Sequence, residues 1–386
     1  MDSGEDERVR ARGHGLELNA RIRIALLLLA ATALVSGLAG GLLRLGLPIP
    51  LPSAAAFHGA VMVSGFLGTV ISLERAVALG GRLAYAAPFA SGAGTILLLA
   101  GFYREALVLW IVAPLLLFAA SVAIARRQPA LHTVLLAVAA VAWAVGSLLL
   151  ATGFASAAPA WWFAFLVLTI AAERLELTRL ARRPPAAARL LVALAVLLLL
   201  AAFATIPGGR WGPLAYGIVL CAIAAWLAVF DIARHTLATG GFARYAAIAL
   251  LGGYAWLAVA GGAWALAPMD RDVALHALGL GFVFSMILAH APLIVPVVLR
   301  RSPRFQPFFY VPLALLHASL VLRLATGGVD PAMRALGGML NAAAIALFVA
   351  AVAFAVIRSR PTGSTVPPAS LPGDEPCSQP PARSRA

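Results

Sequence analysis

Four histidines lie inside long apolar runs of this chain: His58, His276, His290 and His317. A titratable ring in hydrocarbon is costly unless it has a partner, so each is a candidate for ligand binding, with an interhelical hydrogen bond as the ordinary alternative. An imidazole nitrogen is a good ligand for iron, copper or zinc, and two facing rings can fill both axial positions of a haem iron. The remaining three, His14, His132 and His235, fall in the N-terminal stretch or at helix ends.

The elements that must position these rings follow from composition. Residues are 62% hydrophobic and 11% charged, and mean hydropathy is +0.95. Apolar runs of about 20 residues recur along the chain, each long enough to cross a bilayer. Breaks such as "LPIPLPS", "RRQPA", "RRPPAAAR" and "RRSPRFQP" separate twelve expected spans: 22–43, 53–73, 84–103, 106–125, 131–152, 160–178, 187–206, 212–232, 243–267, 272–299, 306–326 and 333–357. The expected fold is an all-α polytopic bundle. Residues 1–21 form a cytoplasmic N-terminal tail, 22–357 the transmembrane domain, and 358–386 a Pro/Ser-rich disordered tail. The first apolar run exceeds the hydrophobic part of a cleavable signal and reads as a retained helix.

The formal net charge of +14 does not indicate nucleic acid. Every basic residue is arginine, and arginines concentrate in alternate short loops: Arg75 and Arg82, Arg126 and Arg127, Arg174 and Arg179 with Arg182 and Arg183, Arg234 and Arg244, Arg300 with Arg301 and Arg304. That is the positive-inside pattern, which predicts a multi-pass protein of the inner (plasma) membrane with both termini cytoplasmic. The two cysteines, Cys221 and Cys377, lie in unlike settings and suggest neither a disulfide nor a cysteine metal site.

"SLERAVAL" closes span 2, "AAERLELTRL" span 6 and "LIVPVVLRR" span 10, a rhythm that suggests three blocks of four helices. A Glu-Arg pair at a helix end is equally what a snorkelling interfacial pair looks like. None of the 15 acidic residues falls in the middle of a span, which argues against a carrier coupled to protons or sodium.

His58 and His276 each lie a few residues into spans of the same direction, so the two rings are expected at similar depth near the outer face. Gly59, Gly65 and Gly68 accompany the first, and Ala277, Gly279 and Gly281 the second. Such residues admit a flat ligand or, equally, a closely packed helix. Phe57, Phe66, Phe282 and Phe284 offer walls for either. Rings more than about 15 Å apart could not share a haem. His290, fourteen residues after His276, falls on the same helix face but roughly 21 Å along the axis. With His317 it forms a second candidate site for copper, against ordinary interhelical hydrogen bonding.

Twelve helices with "FHGAVMVSGFLG" in span 2 and "LHALGLGFVFSM" in span 10 resemble the catalytic subunit of the haem–copper oxidases. "HALGLG" is also similar to NnrS-like membrane proteins, haem- and copper-containing relatives associated with nitric oxide stress. The resemblance implies a low-spin haem held by His58 and His276. The chain departs from the oxidase pattern where span 6 offers "WWFAFL", span 7 has no histidine, and Leu278 stands two residues after His276. Those departures count against a binuclear oxygen-reducing centre. The functions expected are electron transfer or a response to nitric oxide or another diatomic gas, with a redox partner or respiratory complex as partner. A multi-pass transporter not coupled to cations, or an assembly factor for a respiratory complex, stays open.

Overall fold

The computed structural model describes residues 3–177, 184–267, 271–299 and 305–359, with side chains from Arg21 onward and, in the tenth helix, as far as Pro292. The expected C-terminal tail beyond Ser359, and Arg179, Arg182, Arg183, Arg300, Arg301 and Arg304, lie outside the described residues. The described residues are 86% helical, with no strand among them.

Each expected span corresponds to a helix: α1 (Ser3–Arg44), α2 (His58–Leu79), α3 (Leu83–Leu99), α4 (Tyr103–Arg127), α5 (Leu131–Ala151), α6 (Ala158–Leu177), α7 (Pro185–Phe203), α8 (Trp211–Phe230), α9 (Gly241–Leu266), α10 (Arg271–His276, running on through Ala277–Val283 and Phe284–Leu299), α11 (Pro307–Thr326) and α12 (Pro331–Arg358). Ten are long and apolar enough to cross a membrane, and the protein is a multi-pass helical bundle. The stretch expected as an N-terminal tail is helical from Ser3 and continuous with the first span.

The other two helices depart from the simple rule for a span. α3 is short. α6 carries Glu173, Arg174 and Glu176 near one end, yet nearly all of its other residues are buried among neighbouring helices. A helix apolar all round belongs in the interior. α6 stacks Phe165 on Trp143 of α5 at 5.1 Å, and the Tyr216 hydroxyl of α8 donates to the Ala160 carbonyl over 2.6 Å. The centre of the bundle is therefore a protein-lined column.

α2 and α10 share an irregularity. In each, seven residues form a π-helix, Val61–Leu67 and Ala277–Val283, directly after the stretch that holds His58 or His276. A π-helix widens the turn and costs hydrogen-bond geometry, so it persists only where packing imposes it, often at a functional site. The packing is visible. Ser91 of α3 donates to the Ser64 carbonyl, and Trp143 Nε1 donates to Ser64 Oγ over 3.0 Å. On α10, Ser285 Oγ donates to the Gly281 carbonyl over 2.5 Å, while Trp256 of α9 presses on Gly281.

Candidate functional site

The π segments and the chain entry before α2 set the two ring positions. Pro52 starts one turn of helix, Pro52–Ala56, and the chain breaks at Phe57 before His58 opens α2. Across the bundle, Arg271–His276 forms the first turns of α10. The imidazoles of His58 and His276 face one another with ring centres 6.3 Å apart and planes inclined by only 21°. Rings in direct van der Waals contact would lie about 3.5–4 Å apart.

Each ring is oriented through Nδ1. That of His58 donates to the Gly37 carbonyl of α1 over 2.8 Å. That of His276 donates to the Asp272 carbonyl over 2.9 Å, with the Asp272 carboxylate 3.1 Å away. Protonation at Nδ1 leaves Nε2 as the lone-pair nitrogen on both rings. At His276 this Nε2 accepts from Arg323 Nη2 over 3.0 Å.

The rings border a cavity of about 630 Å³, lined also by Met62, Trp162, Phe163, Leu280 and Phe284. Four arginines reach its wall: Arg44, Arg271, Arg323 and Arg334. Arg323 is only 8% exposed, and its Nε has no hydrogen-bond partner among the described residues. Asp272 carries part of the balancing charge, 3.5 Å from Arg323 and 3.0 Å from Arg334.

The glycines divide between the two roles expected of them. Gly65, Gly68 and Gly281 sit hard against Thr95, Trp143 and Trp256 and serve helix packing. Gly59 and Gly279 line the cavity, and a Cβ on either would have its nearest neighbour, Trp162 or Phe163, only at 3.8–3.9 Å. Gly41 of α1 has a third role, because a Cβ there would stand 2.9 Å from Cε1 of His58.

The four phenylalanines divide as well. Phe284 lines the cavity, Phe66 stacks on Phe284 at 6.0 Å, Phe57 stacks on Tyr103, and Phe282 packs near Tyr254. The other aromatic walls, Trp162 and Phe163, come from the "WWFAFL" stretch of α6, where sequence reasoning had noted only missing histidines.

His290 and His317 have other partners. His290 Nδ1 donates to the Met286 carbonyl over 2.7 Å, and its Nε2 accepts from Arg174 over 3.1 Å. Trp256 Nε1 donates to His317 Nδ1 over 2.7 Å, and His317 Nε2 is 3.4 Å from Ser285 Oγ. His317 thus meets α10 at Ser285, five residues and about 7.5 Å of helix rise from His290. Among the described residues, no group of three or more His, Cys, Asp or Glu side chains is placed to hold a metal ion.

Sequence reasoning also missed a cluster at the opposite end of the bundle. Glu74 and Glu173 flank Arg75 at 2.8 and 3.1 Å, joining the Glu-Arg pairs of α2 and α6. Arg174 makes a two-bond fork with Asp231, 2.6 and 2.9 Å, and Asp231 is 2% exposed. Arg75, Arg174 and Asp231 are buried, while Glu74 and Glu173 are partly exposed, so the arginines turn inward to pair between helices. The repeated Glu-Arg dipeptide was the signal for them.

A family model described as a domain of unknown function (DUF8744) matches residues 23–357, nearly all of the helical bundle. The chain belongs to that family. The His58–His276 cavity lies wholly within the part that defines a DUF8744 protein. Comparison with curated proteins and with solved structures finds no match.

Proposed function

We propose that this DUF8744 protein is an integral membrane haem protein of haem–copper/NnrS-like type, holding a low-spin haem between α2 and α10 through His58 and His276. The observation that carries the reading is the separation of the two rings. Two metal–nitrogen bonds of about 2 Å, with roughly 1 Å from each nitrogen to its ring centre, span about 6 Å. The ring centres lie 6.3 Å apart.

Three further features support it. Both rings are held through Nδ1 by carbonyls of the chain, which is how metal-binding imidazoles are commonly oriented. The cavity of about 630 Å³ is apolar along the helices, with Gly59 and Gly279 leaving its wall open beside the rings. Its four arginines suit a ligand that carries carboxylates, as a haem does.

A haem with two histidine ligands supplies one-electron exchange and offers no open position for a gas. That favours electron transfer over direct binding of nitric oxide. In this reading His58 and His276 would hold the iron, Arg323 would give up its hydrogen bond to the His276 Nε2 and turn to the acidic edge with the other arginines, and Trp162, Phe163 and Phe284 would keep water from the site. The copper expectation has less to stand on, because both ring nitrogens of His317 are turned to Trp256 and Ser285, and His317 meets α10 at Ser285 and not at His290.

The arginines support one other reading, a carrier for an organic anion that is not coupled to cations. Visible spectra of the purified protein, oxidised and then reduced with dithionite, separate the two. The haem reading expects a sharp reduced α-band that is lost in a His58→Ala, His276→Ala double variant. A colourless protein from haem-supplied cells would overturn it and leave the carrier.

A further inference from the structure

The two imidazoles are held by unlike partners. Among the described residues, His58 Nδ1 is bonded to the neutral Gly37 carbonyl. His276 Nδ1 lies between the Asp272 carbonyl at 2.9 Å and the Asp272 carboxylate at 3.1 Å. The i, i+4 spacing on one helix turn makes that contact local to α10, so it does not depend on how α10 packs.

Resting on the haem reading above, we infer that Asp272 is a positioning residue that makes His276 the more electron-rich of the two ligands and holds the site's reduction potential down. The physical reason is general. A carboxylate that accepts the Nδ1 proton draws it away from the ring and leaves more electron density at Nε2. A more basic ligand stabilises the oxidised metal more than the reduced one. The neutral carbonyl at His58 does this far less.

The charges facing Asp272 moderate the effect without reversing it. Arg323 of α11 lies 3.5 Å from Oδ1, on the same oxygen as His276, and Arg334 of α12 lies 3.0 Å from Oδ2. Arg271 of α10 and Arg44 of α1 stand on the same cavity wall. Asp272 is therefore the carboxylate among four guanidiniums that touches an imidazole. It also ties α10 to α11 and α12, which fixes the carboxylate against the ring.

The test is a redox titration of the purified haem protein as wild type, Asp272→Asn and Asp272→Glu, with ferric electron paramagnetic resonance spectra of each. Asn keeps the shape and loses the charge. It is expected to raise the midpoint potential, so that at the wild-type midpoint the ratio of reduced to oxidised variant is at least tenfold higher, a shift of at least 59 mV for one electron. The spread of ferric g values is expected to move with it, because the ligand field of His276 changes; a charge removed without contact would leave the ligand field as it was. Glu is expected to return both readouts most of the way to wild type.

Equal potentials in the wild type and Asn chains would overturn the inference, as would a potential shift with unchanged g values. A Glu variant that departs from wild type as far as Asn does would overturn it too. If the Asn chain is not recovered from membranes, Asp272→Ser is read in its place by the same criteria. A colourless wild type defeats the haem reading itself, whereas coloured chains with equal potentials defeat only this inference.

Discussion

Arg174 binds Asp231 through two hydrogen bonds and reaches His290 with its third nitrogen, so one guanidinium joins α6, the C-terminal cap of α8 and α10. The three helices are far apart in sequence, and the contact lies at the end of the bundle opposite the cavity. It fixes the lower half of α10, the helix whose upper half presents His276.

Breaking this pair leaves an uncompensated buried charge. Asp231→Asn is expected to destabilise the folded protein by about 3–5 kcal/mol, while an Arg174→Met, Asp231→Leu double variant loses less than the single change. Thermal unfolding in detergent checks this. A double variant less stable than Asp231→Asn would contradict the assignment of the pair as a structural clamp.

His317 is expected to be a packing residue. His317→Phe keeps a ring beside Trp256 and removes the hydrogen bond, so it should cost about 0.6 kcal/mol, in the range of interhelical hydrogen bonds measured in membranes. The metal content and visible spectrum of the protein should stay at wild-type values in this variant and in His290→Ala. Loss of bound copper in either would restore the second metal site.

Gly41 is expected to be intolerant of any side chain. Its Cβ would stand 2.9 Å from Cε1 of His58, whereas a Cβ at Gly262 would meet nothing within 4 Å. Gly41→Val should therefore lower the haem-to-protein ratio several-fold by turning the His58 ring, and Gly262→Ala should leave it unchanged. Quantitation of extracted haem against protein gives the answer.

Much of this architecture was legible in the sequence because hydrocarbon imposes simple rules. Spans of about 20 apolar residues, broken by proline and arginine, locate every long helix. Counting their alternating directions puts His58 and His276 at one level. What the sequence does not carry is lateral order. Nothing local to α2 or α10 says that they share a cavity, since the segments are more than two hundred residues apart. The π segments were hidden too, because they are imposed by Ser91, Trp143 and Trp256 from other helices. The Glu74–Arg75 and Glu173–Arg174 dipeptides read the same whether they snorkel or pair inside, and only the 98-residue contact between Arg75 and Glu173 decides. Asp272 was within reach of sequence reasoning, four residues before a ring already singled out. In the sequence alone it reads as one more acid at a helix end.

The central claim is that His58 and His276 hold one haem between them, and single variants test it most directly. His58→Gly and His276→Gly, purified with haem, should each lose the low-spin spectrum of the wild type, and added imidazole should restore it in both by filling the vacated place. Either variant keeping the wild-type low-spin spectrum without imidazole would contradict the claim, because that ring would then not be a ligand.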